Sequence, residues 1–207
     1  MKQVTIIDYG SGNVLSAQKS FIKVTNDNNI KCKVLISNKL EDIRSSTHVV
    51  LPGQGAFATC MSGIKNKKGL VDELYEFAII KKKPFLGICI GMQMLASHSE
   101  ENGFHQGLGW IDGSIKALPT KNLKIPHMGW SQVRPTKSND LVATSDDYYF
   151  VHSYYFDCSN NENKLAETQY GINFTSIVGK ENIYGVQFHP EKSSSQGLRL
   201  IKNFMSK

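Results

Sequence analysis

Residues 84–95, PFLGICIGMQML, decide how this chain is read. A short apolar run from Phe85 to Ile88 reaches Cys89, which stands between Gly87 and Gly91, and the apolar residues beyond it follow helical spacing. A strand turning into a helix through a glycine-framed residue is a tight junction, because glycine lets neighbouring backbone pass where a Cβ would not fit. Cys89 then has two readings. It is a small apolar residue in a core strand, or it is a nucleophile in a G-x-nucleophile-x-G elbow with sulfur in place of the usual serine oxygen. On the second reading the following helix favours thiolate through its dipole. The amide of Ile90 then aims at an oxyanion formed on an attacked carbonyl.

Outward from the elbow, the first half of the chain alternates strand and helix. QVTIID, KCKVLI, THVVLPG and PFLGI read as strands. Helical spacing covers residues 14–24, with Asn13 as N-cap, then 40–44, 57–64, 70–80 and the MQMLASH run. Such alternation predicts an open, mostly parallel sheet with helices on both faces. The second half reads as strands in hairpin or meander order: GLGWIDGSIKAL, IPHMGWSQV, YYFVHSYYFD, KLAETQYG, FTSIVGK and IYGVQFH. A closing helix over 195–206 carries Leu198, Leu200, Ile201 and Phe204. No repeat or linker interrupts the chain, so residues 1–207 read as one α/β domain with an antiparallel extension.

Composition narrows the function classes. Of 207 residues, 40% are hydrophobic and 20% charged, which is ordinary globular usage with ample material for a core. The net charge is +6, but its dense spots, KNKK at 65–68 and KKK at 81–83, sit near expected helix ends rather than in an arginine-rich stripe with aromatics. Nucleic acid is therefore not the expected partner. No run approaches the ~20 apolar residues of a membrane span, and the start of the chain lacks the apolar core and cleavage site of a signal peptide. The four cysteines, Cys32, Cys60, Cys89 and Cys158, form no CxxC pair and no zinc-spaced cluster. Free thiols in the reducing cytoplasm, with no metal, are the expectation.

A thiol nucleophile needs a base and a group that orients the base. GVQFHPEKS supplies both: His189 ends a strand and Glu191 lies two residues on, on the same side of an extended chain that Pro190 stiffens. LPGQGAF, residues 51–57, follows a strand and places flexible backbone amides where an oxyanion hole would be completed. GSGNVL at 10–15 lacks the third glycine of a dinucleotide loop, so no cofactor is expected there. His152 is a rival general base, and His127 reads as a satisfied structural histidine.

With the elbow, the PGxG loop and the late HPE in this order, the chain resembles the class I triad glutamine amidotransferases. DYGSGN, LPGQGAF, FLGICIGMQML, GLGWI, KIPHMGW, VHSYY and GVQFHPEKS, spread from Asp8 to Ser193, resemble more closely the glutaminase subunits of imidazole glycerol phosphate synthases. The resemblance implies a flavodoxin-like sheet and no cofactor. Cys89 would attack the side-chain amide of glutamine, His189 would move the proton, and Glu191 would orient His189. The amide of Ile90 and the Gly53–Gln54 backbone would hold the oxyanion. Gly55, Gln93, Ser153 and Tyr154 would line the glutamine pocket. Ammonia would pass to a (β/α)8-barrel cyclase subunit toward which Asn13 lies. Three positions depart from the family pattern: Ile90 replaces leucine, Gln54 replaces valine in PGVG, and Ser131 replaces asparagine after HMGW. Beside this reading stand a paralog serving another acceptor such as a surface sugar, a free-standing cysteine hydrolase, and a scaffold without activity. The intact Cys89, His189 and Glu191 set weighs against the last.

Overall fold

A computed structural model describes residues 1–119 and 123–207. In chain order the elements are β1 (Lys2–Ile7), α1 (Val14–Asp27), β2 (Cys32–Ser37), α2 (Leu40–Ser45), β3 (His48–Gly53), α3 (Phe57–Lys65), α4 (Leu70–Tyr75), β4 (Phe85–Cys89) and α5 (Ile90–Gln93). There follow β5 (His98–Ser99), β6 (His105–Gln106), β7 (Gly113–Ala117), β8 (His127–Pro135), β9 (Asp146–His152), β10 (Tyr154–Cys158), β11 (Lys164–Tyr170), β12 (Ile172–Lys180), β13 (Ile183–Val186) and α6 (Ser194–Met205).

The main sheet runs β2-β1-β3-β4-β13-β12-β10-β7-β5-β6. Its first five strands are mutually parallel, and all but the half-buried edge strand β2 are largely buried on both faces, which is why they read as apolar runs. Right-handed crossovers place α1 on one face, where it packs with α6, and group α2, α3 and α4 on the other. Phe21 and Phe204, both fully buried, meet edge to face at 6.4 Å and fasten α1 to α6. Each such buried phenyl contributes roughly 1.5–3 kcal/mol. Asn13 caps α1 as expected, its side chain accepting from the amide of Ser16 at 3.3 Å.

The last strand, β13, returns from the antiparallel half and inserts beside β4, with Val186 in register with Ile88. That insertion brings a segment from far downstream to the carboxyl edge next to Cys89. β12 joins β13 and β10 antiparallel, and the β8–β9 hairpin hangs off this sheet through β11.

Four sequence expectations change. The helix expected over MQMLASH is a single turn, α5, after which the chain turns into β5 at His98. The helix expected over 70–80 gives way at Glu76 to a π-helical turn through Ile80, which buries Phe77 and Ala78 and leaves Ile80 exposed. YYFVHSYYFD is not one strand: it breaks at Ser153, passing from β9, paired with β8, to β10, paired with β7. GLGWIDGSIKAL contributes a strand only from Gly113, its first half being held by turns onto Met94, Leu95 and Ala96. Period-two apolar patterning reports burial, and both sheets bury these residues alike.

Candidate active site

Cys89 ends β4 with φ 56° and ψ −113°, a conformation that non-glycine residues rarely adopt and that is retained where the surroundings enforce it. The enforcement is visible at the flanking glycines. A Cβ on Gly91 would stand 1.8 Å from the carbonyl oxygen of Leu51, and one on Gly87 would stand 2.5 Å from that of Gly91. The spacing in PFLGICIG is thus the elbow and not loose core packing. Ile90 is the first residue of α5, so its amide has no acceptor within the helix and is free for an incoming oxyanion. A one-turn helix contributes little dipole, and support for a sulfur anion falls to side chains.

His189 and Glu191 follow β13, the strand paired with β4 beside Cys89. His189 Nδ1 lies 2.9 Å from Glu191 Oε1, with both side chains nearly inaccessible. The contact is made from a 3₁₀ turn, Pro190–Lys192, rather than from the extended segment the sequence predicts. Serine clamps the turn: Ser193 Oγ donates to the His189 carbonyl at 2.6 Å and accepts from the amide of Tyr149 on β9 at 3.0 Å. Burial pulls the imidazole toward neutrality, but hydrogen bonds and charge from Cys89 and Glu191 outweigh it and hold its pKa up to about 10. The raised value favours the charged form of the ring beside Glu191.

The pocket over the sulfur measures about 280 Å³ and is lined by Gly55, Cys89, Ile90, Gln93, Glu101, Pro126, Val151, His152, Ser153 and Tyr154. That scale suits one amino acid more than a drug-sized ligand. Gly55, Gln93, Ser153 and Tyr154, the residues the resemblance names, are all among this lining. Gln93 donates to the Tyr154 carbonyl at 2.9 Å, and its own Oε1 is buried without a partner among the described residues. Gly53 faces Cys89 across the β3–β4 register and packs on the backbone of Gly91. Gln54 behaves differently from expectation: its amide donates to Ser11 Oγ at 3.4 Å, and its carbonyl accepts from the same hydroxyl at 2.6 Å. One of the two oxyanion donors expected from the sequence is thus engaged by the Gly10–Asn13 loop.

Glu101 escaped the sequence reading. Its carboxylate lines the pocket and accepts from the amide of Phe57 at 2.7 Å, but it sits in a turn after β5 with no motif to mark it. His152, the rival base, is occupied: its Nδ1 donates to the Tyr154 carbonyl at 2.9 Å, and its Nε2 accepts from His127 Nδ1 at 2.9 Å. His127 is satisfied as expected, with its Nε2 accepting from Ser131 Oγ at 2.8 Å and its ring stacked on Tyr170 at 4.0 Å. Ser131, the departure from the family pattern, is therefore used inside the chain.

Burial holds His48 and His127 down to about 4 and His152 down to about 3. A neutral folded histidine stabilises the fold fully above the ordinary value near 6.5 and loses that contribution as pH falls through the folded value. Through these three histidines the urea-unfolding midpoint should fall as pH is lowered from about pH 6.5 to pH 4. Each histidine adds a slope of about 1.4 kcal/mol per pH unit in that window. A midpoint insensitive to acid above pH 4 would contradict the assignment.

Fold and site together make this an α/β protein built around a strained cysteine elbow with a buried histidine–glutamate pair beside it. The family model described as glutamine amidotransferase class-I matches residues 5–207, and the chain belongs to that family. Among curated relatives, the imidazole glycerol phosphate synthase subunit HisH of Rhodospirillum rubrum is 44% identical over 98% of both chains. The protein of the same name from Pelagibacter ubique is 42% identical over 98% of this chain and 99% of its own. Among solved structures, one titled glutamine amidotransferase superposes with a TM-score of 0.73 at 16% identity, covering 98% of this chain and 97% of that one. A glutamine amidotransferase from Thermotoga maritima gives 0.61 at 19% identity, covering 99% and 83%. At those identities the structures speak for the fold alone. No helix among the described residues is long and apolar enough to cross a membrane, and no cluster of metal-binding side chains occurs among them.

Proposed function

We propose that this chain is the glutaminase subunit of an imidazole glycerol phosphate synthase, splitting glutamine and passing ammonia to a (β/α)8-barrel cyclase subunit in histidine biosynthesis. The observation that carries the chemistry is the strained Cys89 with the buried His189–Glu191 pair beside it, His189 Nδ1 lying 2.9 Å from Glu191 Oε1. Cys89 gives its thiol proton to His189, the sulfur adds as thiolate to the side-chain amide carbon of glutamine, and the oxyanion accepts from the Ile90 amide. His189 gives its proton to the departing nitrogen, so ammonia leaves and a glutamyl thioester remains. The histidine, now neutral, takes a proton from water as the water attacks the thioester, and glutamate and the thiolate are regenerated. Glu101 is the carboxylate placed for the substrate's α-ammonium, and Gln93 Oε1 is an unpaired acceptor within the same pocket.

The relatives' names support the choice of acceptor, and the surface fits a partner. Met128 and Trp130, 62% and 51% exposed, stand on β8, Met128 opposite Val151, whose carbonyl lies 3.9 Å from the Cys89 sulfur, and Trp130 opposite Tyr149. Large apolar side chains open to water beside a reaction centre suit a docked partner. Because Ser11 engages the Gln54 amide, docking must also free that donor. Losing one oxyanion donor costs ~10²–10³ in rate. The isolated chain should therefore hydrolyse glutamine slowly, and the complex copurified from its host should do so ~10²-fold faster or more. Recovery of a barrel synthase that makes imidazole glycerol phosphate from glutamine supports the acceptor. Recovery of a synthase acting on a different acceptor would leave the glutaminase and replace the pathway. Fast hydrolysis indifferent to any partner would favour a free-standing hydrolase.

A further inference from the structure

Gln187 lies two residues before His189 and is fully buried, and the triad chemistry above makes no use of it. Its Nε2 is 3.9 Å from the Cys89 sulfur, and its Oε1 accepts from Gln93 Nε2 at 3.0 Å. We infer that Gln187 is a positioning residue for the nucleophile: it presents an N–H to the sulfur, and Gln93 fixes which end of its amide faces there. The inference rests on the glutaminase reading and deepens it.

The orientation follows from acceptors that cannot reverse. The Tyr154 carbonyl can only accept, so the nitrogen of Gln93, not its oxygen, points that way. The second N–H of the same nitrogen then meets Gln187, which must answer with its oxygen. The nitrogen of Gln187 is left facing the sulfur. The Tyr154 carbonyl is itself held by His152 Nδ1, so the chain of donors is pinned at its far end. The backbone of Gln187 is fixed as well, its amide donating to the Ser176 carbonyl on β12 at 2.9 Å.

A buried amide aimed at sulfur matters most when the sulfur is charged. Hydrogen bonds to ionised groups are shorter and roughly twice as strong as those between neutral ones. At 3.9 Å the contact is long and has room to tighten on a thiolate. The one-turn α5 offers little dipole here, so the amide takes over part of what the sequence assigned to a helix. The same link ties the nucleophile to Gln93 on the pocket wall, so a ligand that reorders Gln93 is felt at the sulfur.

The test is the pH dependence of Cys89 alkylation by iodoacetamide, read on the Cys89 peptide by mass spectrometry so that Cys32, the partly exposed thiol, does not interfere. In the full chain, Gln187→Leu should displace the profile toward higher pH and slow alkylation at pH 7 by about tenfold. Gln187→Glu keeps an acceptor for Gln93 but replaces the donor with a carboxylate, and should displace the profile further. In the complex, Gln187→Glu should lower kcat for glutamine by tenfold or more with KM near that of the parent, since Gln93 keeps its partner. Gln187→Met, close in shape, substitutes for a variant that does not fold. On the unsubstituted chain, the Gln187 side-chain amide resonances should titrate in step with the alkylation profile. A folded variant with the parent's profile, or side-chain amide resonances indifferent to pH, overturns the role of Gln187. Neither result touches the glutaminase reading, which stands or falls with Cys89→Ala.

Discussion

Cys89→Ala should reduce glutamine-dependent turnover of the complex by ~10⁴-fold or more, to the level left by binding and oxyanion contacts alone. The same complex supplied with ammonium should make product at the parent's rate. The asymmetry follows from the division of labour proposed above: sulfur releases ammonia, and the partner consumes it. Alanine is also a mild change for the fold. The site is already dominated by backbone contacts between Gly91, Leu51 and Gly87, and removing one sulfur leaves them in place. The positive φ at position 89 disfavours alanine as it does cysteine, so loss of turnover would not be a trade for strain. Parallel assays with glutamine and with ammonium decide the matter. Retained use of glutamine would remove Cys89 from the reaction, and loss with both nitrogen sources would point to a broken complex.

Glu191→Gln comes second, with an expected loss of ~10²–10⁴ in kcat for glutamine. The amide oxygen still accepts from Nδ1, so ring orientation survives in part. What disappears is the negative charge that stabilises the imidazolium. The carboxylate is nearly inaccessible, with Oε2 buried and unpartnered, so its field on the ring is weakly screened by water. Glu191 is one of two groups holding His189 up to about 10 against burial, and its neutralisation lowers that value. Linkage gives a second readout with a definite sign. A histidine raised in the fold stabilises it fully below the ordinary value near 6.5, and the contribution fades as pH rises through about 10. The parent should lose urea resistance across that alkaline window, and Glu191→Gln should lose less. Equal alkaline losses would mean that Glu191 does not set the charge of the ring.

Much of the site was legible before any fold was known. PFLGICIG announced an elbow because only glycine fits the backbone clearances now measured around Gly87 and Gly91. HPE announced the His189–Glu191 contact, because two residues across a proline stay close in sequence. Gln187 was legible too: although β13 ends at Val186, a strand over IYGVQFH would put it on the same side as His189. It went unread because an amide carries no chemistry until its neighbours are known. Glu101 had no sequence mark at all, lying in a turn whose position depends on α5 stopping after one turn.

The sequence by itself determined which residues are nucleophile, base and anchor candidates, and that strands alternate with helices ahead of an antiparallel half. Spacing sets these features over a few residues, where covalent geometry dominates. The tertiary structure alone decided that β13 lies against β4 and so brings imidazole to sulfur, that Ser153 divides two strands, and that Ser11 engages the Gln54 amide. Those outcomes depend on strand order and on hydrogen bonds between distant segments. Apolar periodicity records that a residue is buried, but not against what.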